Sequence, residues 1–147
     1  MFDLENLNPT TKFYWTKEED VPEENKEWVE LRLINDEKSK EIHKAIGAKI
    51  KKELVKDKET RQMQYVRDFE LTEKQIAQYD EEAWDYQIYN WKLVTPKKKD
   101  IECSRENKIL LMRKEPRFKV WIESCLEELS KEITNIKSVE SENFLNG

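Results

Sequence analysis

Phe118, Ile122, Cys125, Leu129, Ile133 and Ile136 follow one another at spacings of four, three, four, four and three. An α-helix brings residues three and four apart onto one face, whereas a strand alternates every two. The chain therefore carries one long amphipathic helix near its C-terminus, and the rest of the fold has to supply a surface for that stripe. Pro116 lies two residues ahead of Phe118. It suits the first helical position, where its missing N–H costs nothing.

The remaining segments are read against that helix. Ser104 caps a preceding helix that holds Ile109, Leu110, Leu111 and Met112. Upstream, Thr72 and Gln75 form a capping box. The pattern that follows, with Ile76, Tyr79, Ala83, Trp84, Ile88 and Trp91, predicts a helix running to about Trp91. Asn35 caps another helix, with Asp36 and Glu37 in its first turn, Ile42, Ala45 and Ile46 as its apolar stripe and Gly47 ending it. Val94 to Asp100 reads as a loop.

Strand signals lie near the N-terminus. In Trp28-Val29-Glu30-Leu31-Arg32-Leu33 the apolar residues alternate with charged ones, the mark of a half-buried strand. Lys12-Phe13-Tyr14-Trp15-Thr16 is aromatic and β-prone, and it pairs with that strand across the acidic loop around Pro22. Residues 48–70 fit two descriptions. Ile46, Ile50 and Leu54 are spaced by four, as in a helix, while Met63, Tyr65 and Phe69 fall at even steps, as in a strand. The expected fold class is α+β: an N-terminal β-hairpin, with a second hairpin near 48–70 as the alternative to helix, packed on a bundle of about four helices. One domain over 1–138 and a flexible tail over 139–147 complete the expectation.

Hydrophobic residues make up 37% of the 147 and charged residues 40%, so the apolar ones must be concentrated on a few faces. Trp84, Ile88, Trp91, Leu110, Phe118, Ile122 and Leu126 are the candidate core. Two glycines, one of them terminal, are too few for a phosphate-cradling loop or a nucleophile elbow. The single histidine, His43, lies on a helix rich in Lys and Glu and is read as a surface residue, with Cys103 or Cys125 able to pair with it only by a coincidence of the fold. Cys103 and Cys125 are read as unpaired thiols without zinc or redox spacing. No catalytic residue, metal site or cofactor is expected. The net charge is −5 and the N-terminus is acidic. No apolar run is long enough for a membrane span. These features suit a soluble cytoplasmic protein with no membrane partner.

Taken in order, Phe2-Asp3-Leu4-Glu5-Asn6-Leu7-Asn8-Pro9, Trp28 to Leu33, Trp84-Asp85-Tyr86 with Trp91, Cys103-Ser104-Arg105-Glu106-Asn107-Lys108, and Pro116-Arg117-Phe118 before Trp121-Ile122 resemble the tail assembly chaperones of phages and prophages of Gram-positive bacteria. The resemblance spans about Phe2 to Leu129 and favours the second hairpin. It implies a non-enzymatic protein of the host cytoplasm that binds the tape measure protein, and tail-tube subunits with it, during tail morphogenesis. Homo-oligomer formation is left open. On this reading Leu129, Ile133 and Ile136 at the distal end of the long seam are the candidate partner-binding residues. The rival reading is a small phage-encoded regulator that binds nucleic acid through the lysines between Lys44 and Lys58. Against it, that segment contains no arginine, the usual reader of bases.

Overall fold

In the computed structural model the backbone is described for residues 9–15, 22–56, 58–59 and 61–146, and the side chains for these except 23, 52–55, 64–67 and 133–146. The class is α+β. Where the sequence suggests one domain, the chain divides into two compact units, Met1–Leu33 with Trp84–Gly147, and Ile34–Ala83.

The first unit is built on a three-stranded antiparallel sheet. Strand β1 (Thr11–Tyr14) pairs with β2 (Trp28–Leu31), as the alternating pattern predicts, with Thr11 opposite Leu31 and Tyr14 opposite Trp28. Val29 and Leu31 point inward and are fully buried. The far side of β2 pairs with a segment the sequence assigns to a helix. Helix α2 (Glu73–Gln87) stops at Gln87, and β5 (Ile88–Lys92) continues directly as a strand, placing Val29 opposite Trp91 and Leu31 opposite Ile88.

The aromatic and branched residues around Ile88 suit either structure, so the outcome depends on what satisfies the last carbonyls of α2. Three donors do. The Arg32 backbone N–H reaches Gln87 O at 2.9 Å, Arg32 Nε reaches Tyr86 O at 2.7 Å, and Lys108 Nζ reaches Asp85 O at 3.0 Å. Two of the three come from cationic side chains, which also favour the negative end of the helix dipole.

Helices α3 (Arg105–Lys114) and α4 (Pro116–Asn146) cover the sheet. Ser104 caps α3 by accepting from Asn107 N at 3.2 Å, and Pro116 opens α4, as expected. The core joins Val29, Leu31, Ile88, Trp91 and Leu93 with Met112, Phe118, Ile122 and Cys125. Of the predicted core residues, Ile88, Trp91, Phe118 and Ile122 are buried, and Trp84 and Leu126 are half-buried against them. Leu110 is a correction, since it is 56% exposed. Helix α3 turns Lys108 and Met112, four apart, toward the core. Two helical steps past Lys108, Leu110 falls on the opposite side of α3. Helix α4 continues through Asn146, where the sequence suggests a tail over 139–147; no Pro or Gly follows Pro116 until Gly147. No helix among the described residues is long and apolar enough to cross a membrane.

The second unit contains α1 (Asp36–Ala45), the antiparallel hairpin β3 (Lys49–Lys56) and β4 (Met63–Glu70), and most of α2. The hairpin resolves the ambiguity of residues 48–70, with Lys49 opposite Glu70 and Lys56 opposite Met63. Gly47 decides this locally. It takes φ +74°, its N–H bonds Lys44 O at 3.1 Å, and Ala48 N bonds His43 O at 2.9 Å. That is a Schellman closure, which ends α1 before Ile50 and Leu54 can extend it. Asn35 Oδ1 caps the other end of α1, accepting from Lys38 N at 2.7 Å. The Thr72 and Gln75 capping box forms reciprocally, at 3.0 and 3.2 Å.

Candidate functional site

An apolar opening in the first unit lies where the sheet meets the corner between α3 and α4. Trp15 follows β1 and is held by its N–H donating to Glu27 O at 3.0 Å. Glu27 Oε1 in turn accepts from Val94 N at 2.9 Å, tying the loop after β5 to the same edge. That loop is closed by the Val94–Asp100 bridge and by Ile101 N donating to Leu93 O at 2.9 Å. Trp91 Nε1 donates to Ile101 O at 2.8 Å from beneath. Leu93, Val94 and Ile101 thus form one wall, and Leu111, Phe118 and Trp121 form the other.

The aromatic rings interlock edge to face. Centroid separations are 5.8 Å for Trp91–Phe118, 6.1 Å for Phe118–Trp121 and 4.8 Å for Trp15–Trp121. The ring contacts therefore run without a break from buried core to surface, in the geometry that aromatic pairs prefer. The opening is an open groove of about 210 Å³. A shallower recess beside it is lined by Trp15, Pro116, Arg117, Val120 and Trp121. Trp15 is 41% exposed and Val120 61%.

At about 210 Å³ the groove alone is smaller than the roughly 300–1,000 Å³ of small-molecule sites, whereas the more open recess beside it measures about 400 Å³. Its polar rim is already engaged. Arg117 donates from Nε and from its backbone N to Glu115 Oε1, at 3.2 and 3.3 Å. The Arg117 side chain holds the Glu115 carboxyl below the usual carboxylate range, with the backbone N–H adding to the effect. The floor of the groove, by contrast, is apolar, with Leu93, Leu111 and Phe118 among its lining residues.

Of the candidate partner-binding residues, the one whose side chain is described does not border the groove. Leu129 is 8% exposed, so it does not protrude to meet a partner. The seam turns it onto the same face as Phe118, Ile122 and Cys125. The side chains of Ile133 and Ile136 lie outside the described residues. Trp121, which does border the groove, was legible only indirectly. It falls one residue short of the seam at Ile122 and one turn after Arg117, a position on the flank of an amphipathic helix.

His43 is half-buried rather than a plain surface residue. Its ring stacks on Phe69 with centroids 4.1 Å apart and lies 4.6 Å from Tyr79. Its Nδ1 is 2.7 Å from Ser39 O. A carbonyl can only accept, so Nδ1 carries a proton and donates. A nitrogen used this way cannot accept from the Ser39 hydroxyl, which instead meets Tyr79 Oη at 2.9 Å. The cluster packs the second unit.

Cys103 and Cys125 are both free. Burial pushes each thiol up; for Cys103 the nearby Lys108 ammonium opposes this, and for Cys125 Glu128 reinforces it. Among the described residues, no group of three or more His, Cys, Asp or Glu side chains is placed to hold a metal ion.

The lysines considered for nucleic acid do not form one stripe. On β3, Lys49 and Lys51 occupy one face by register and Lys56 the other, because successive positions alternate along a strand. Lys49 and Lys51 are also registered opposite Glu70 and Asp68. Such an arrangement dilutes the field a phosphate backbone would meet.

Compared with known proteins, the chain matches no family model, no curated protein and no solved structure.

Proposed function

We propose that this chain is a non-enzymatic tail assembly chaperone of the phage or prophage type. In the host cytoplasm it would hold the tape measure protein, and tail-tube subunits with it, until the tail polymerises. The support is twofold. The residue blocks around Trp84, Cys103 to Lys108 and Pro116 to Ile122 resemble that family. The observation that carries the reading is the aromatic groove at Trp15 and Trp121, which leaves apolar surface open directly beside a closed core.

A long helical client exposes apolar side chains before assembly. A groove that accepts one large side chain, on a chain of net charge −5, would cover such a side chain and add solubility. The contact surface in this reading is Trp15 together with the Val120 and Trp121 flank of α4, not Leu129.

The test is co-expression with the candidate tape measure protein, followed by recovery of soluble complex. Wild type is expected to retain the client. Trp121→Ala should weaken retention by roughly tenfold or more, the scale of losing an aromatic anchor. Because Trp121 also touches the core, Val120→Glu is the companion variant, since Val120 is exposed. A folded Val120→Glu protein that retains the client fully would remove the groove from the reading. Failure of wild type to keep the tape measure soluble, together with a salt-dependent shift of DNA or RNA, would replace the chaperone with the nucleic-acid regulator.

A further inference from the structure

Arg32 follows β2 and is held more tightly than a surface arginine needs to be. Its Nε donates to Tyr86 O at 2.7 Å, and its own backbone N–H donates to Gln87 O. Its guanidinium lies 3.8 Å over the Tyr86 ring and 5.1 Å from the Tyr89 ring. Arg32 is half-buried, while Tyr89 is 55% exposed. Among the described residues no carboxylate bonds this guanidinium, although the chain holds 32 acidic residues and forms ion pairs at Lys38, Arg105, Lys108, Arg117, Lys119 and Lys131.

A guanidinium presents five N–H donors in a planar fork that matches a carboxylate with two parallel bonds. The helix carbonyl uses Nε, and stacking on Tyr86 fixes the plane. The two terminal nitrogens are therefore pre-oriented beside an exposed tyrosine, and ordering them on binding costs little side-chain entropy. Arginine and tyrosine are also among the residue types that dominate binding at protein interfaces. The α2 carbonyl end would repel an anion, but Arg32 and Lys108 already bond the carbonyl oxygens of Tyr86 and Asp85 there.

We propose that Arg32, Tyr86 and Tyr89 form a second interaction surface that receives a carboxylate side chain, Asp or Glu, of a protein partner. It is independent of the aromatic groove and does not rest on the chaperone reading.

The test uses the full chain and two capped peptides, one with a single Glu flanked by alanines and the other with Gln in its place. Binding is followed by the NMR signals of Arg32 Nε–H and the Tyr89 ring. The Glu peptide should produce saturable shifts of both signals, with at least tenfold weaker binding for the Gln peptide. Arg32→Lys keeps the charge but loses the fork, and should weaken Glu-peptide binding, read at Tyr89, roughly tenfold. Since Arg32→Lys also loosens the α2 terminus, Tyr89→Ala is the second variant; it should melt like wild type and bind severalfold more weakly. Equal shifts with Glu and Gln peptides, or unchanged binding by Tyr89→Ala, would overturn the proposal. Saturation by inorganic phosphate at much lower concentration than by the Glu peptide would overturn it in favour of a phosphorylated ligand.

Discussion

Lys108 is buried in α3 and its ammonium donates to both the backbone oxygen and the carboxylate of Asp85, at 3.0 and 3.1 Å. The lysine thus caps α2 and pairs with a charge on it in one contact. Removing the acid leaves a buried ammonium with only the carbonyl. Asp85→Ala is expected to destabilise the fold by about 2 kcal/mol. Lys108→Met, which removes the charge but keeps the stem, should cost less than Asp85→Ala, because an apolar isostere needs no partner. Urea titration of the two variants checks the order, and a larger loss for Lys108→Met would refute this account of the contact.

Ile122 is fully buried and Leu110 is 56% exposed, although both belong to apolar runs in the sequence. Ile122→Ala should destabilise by roughly 2–5 kcal/mol, since it opens a cavity under the sheet. Leu110→Ala should stay within about 0.5 kcal/mol of wild type. Equal shifts in thermal melts would contradict the orientation of α3.

Gly47 sits at φ +74° with nothing within 4 Å of where a Cβ would stand. A side chain there meets no clash, so the penalty of Gly47→Ala is conformational alone, about 1 kcal/mol. A stabilising Gly47→Ala would show that α1 does not close in the left-handed conformation.

Burial, reinforced by Glu128, pushes the Cys125 thiol up to about 11 from its ordinary 9.0. The neutral thiol is therefore the form the fold favours. The stability gained by keeping it neutral is fully present below pH 9.0 and is lost as pH rises through about 11. Alkylation by iodoacetamide at about pH 8 should be slow at both thiols and slower at buried Cys125 than at half-buried Cys103. Cys125→Ser should remove the alkaline loss, which a pH series of melting curves would detect.

Much of the local structure was legible because its causes are local. The caps at Asn35, Thr72 with Gln75 and Ser104, the C′ position of Gly47 and the start of α4 at Pro116 each depend on a few neighbouring residues. The alternation of Val29 and Leu31 and the seam through Phe118, Ile122 and Cys125 likewise identified faces that are buried.

Tertiary structure decided where long-range donors and neighbours intervene. Arg32 and Lys108 end α2 at Gln87 from far along the chain, and so free Ile88–Lys92 to become a strand. Asp85 draws Lys108 inward and leaves Leu110 outside, reversing the order that hydrophobicity alone assigns to them. The groove arises only because Trp15 and Trp121, distant in sequence, meet at 4.8 Å. Periodicity reports which residues share a face. It carries no information about which charged side chain will satisfy a helix end, nor about how much of an aromatic face its neighbours will cover, because those depend on partners far along the chain.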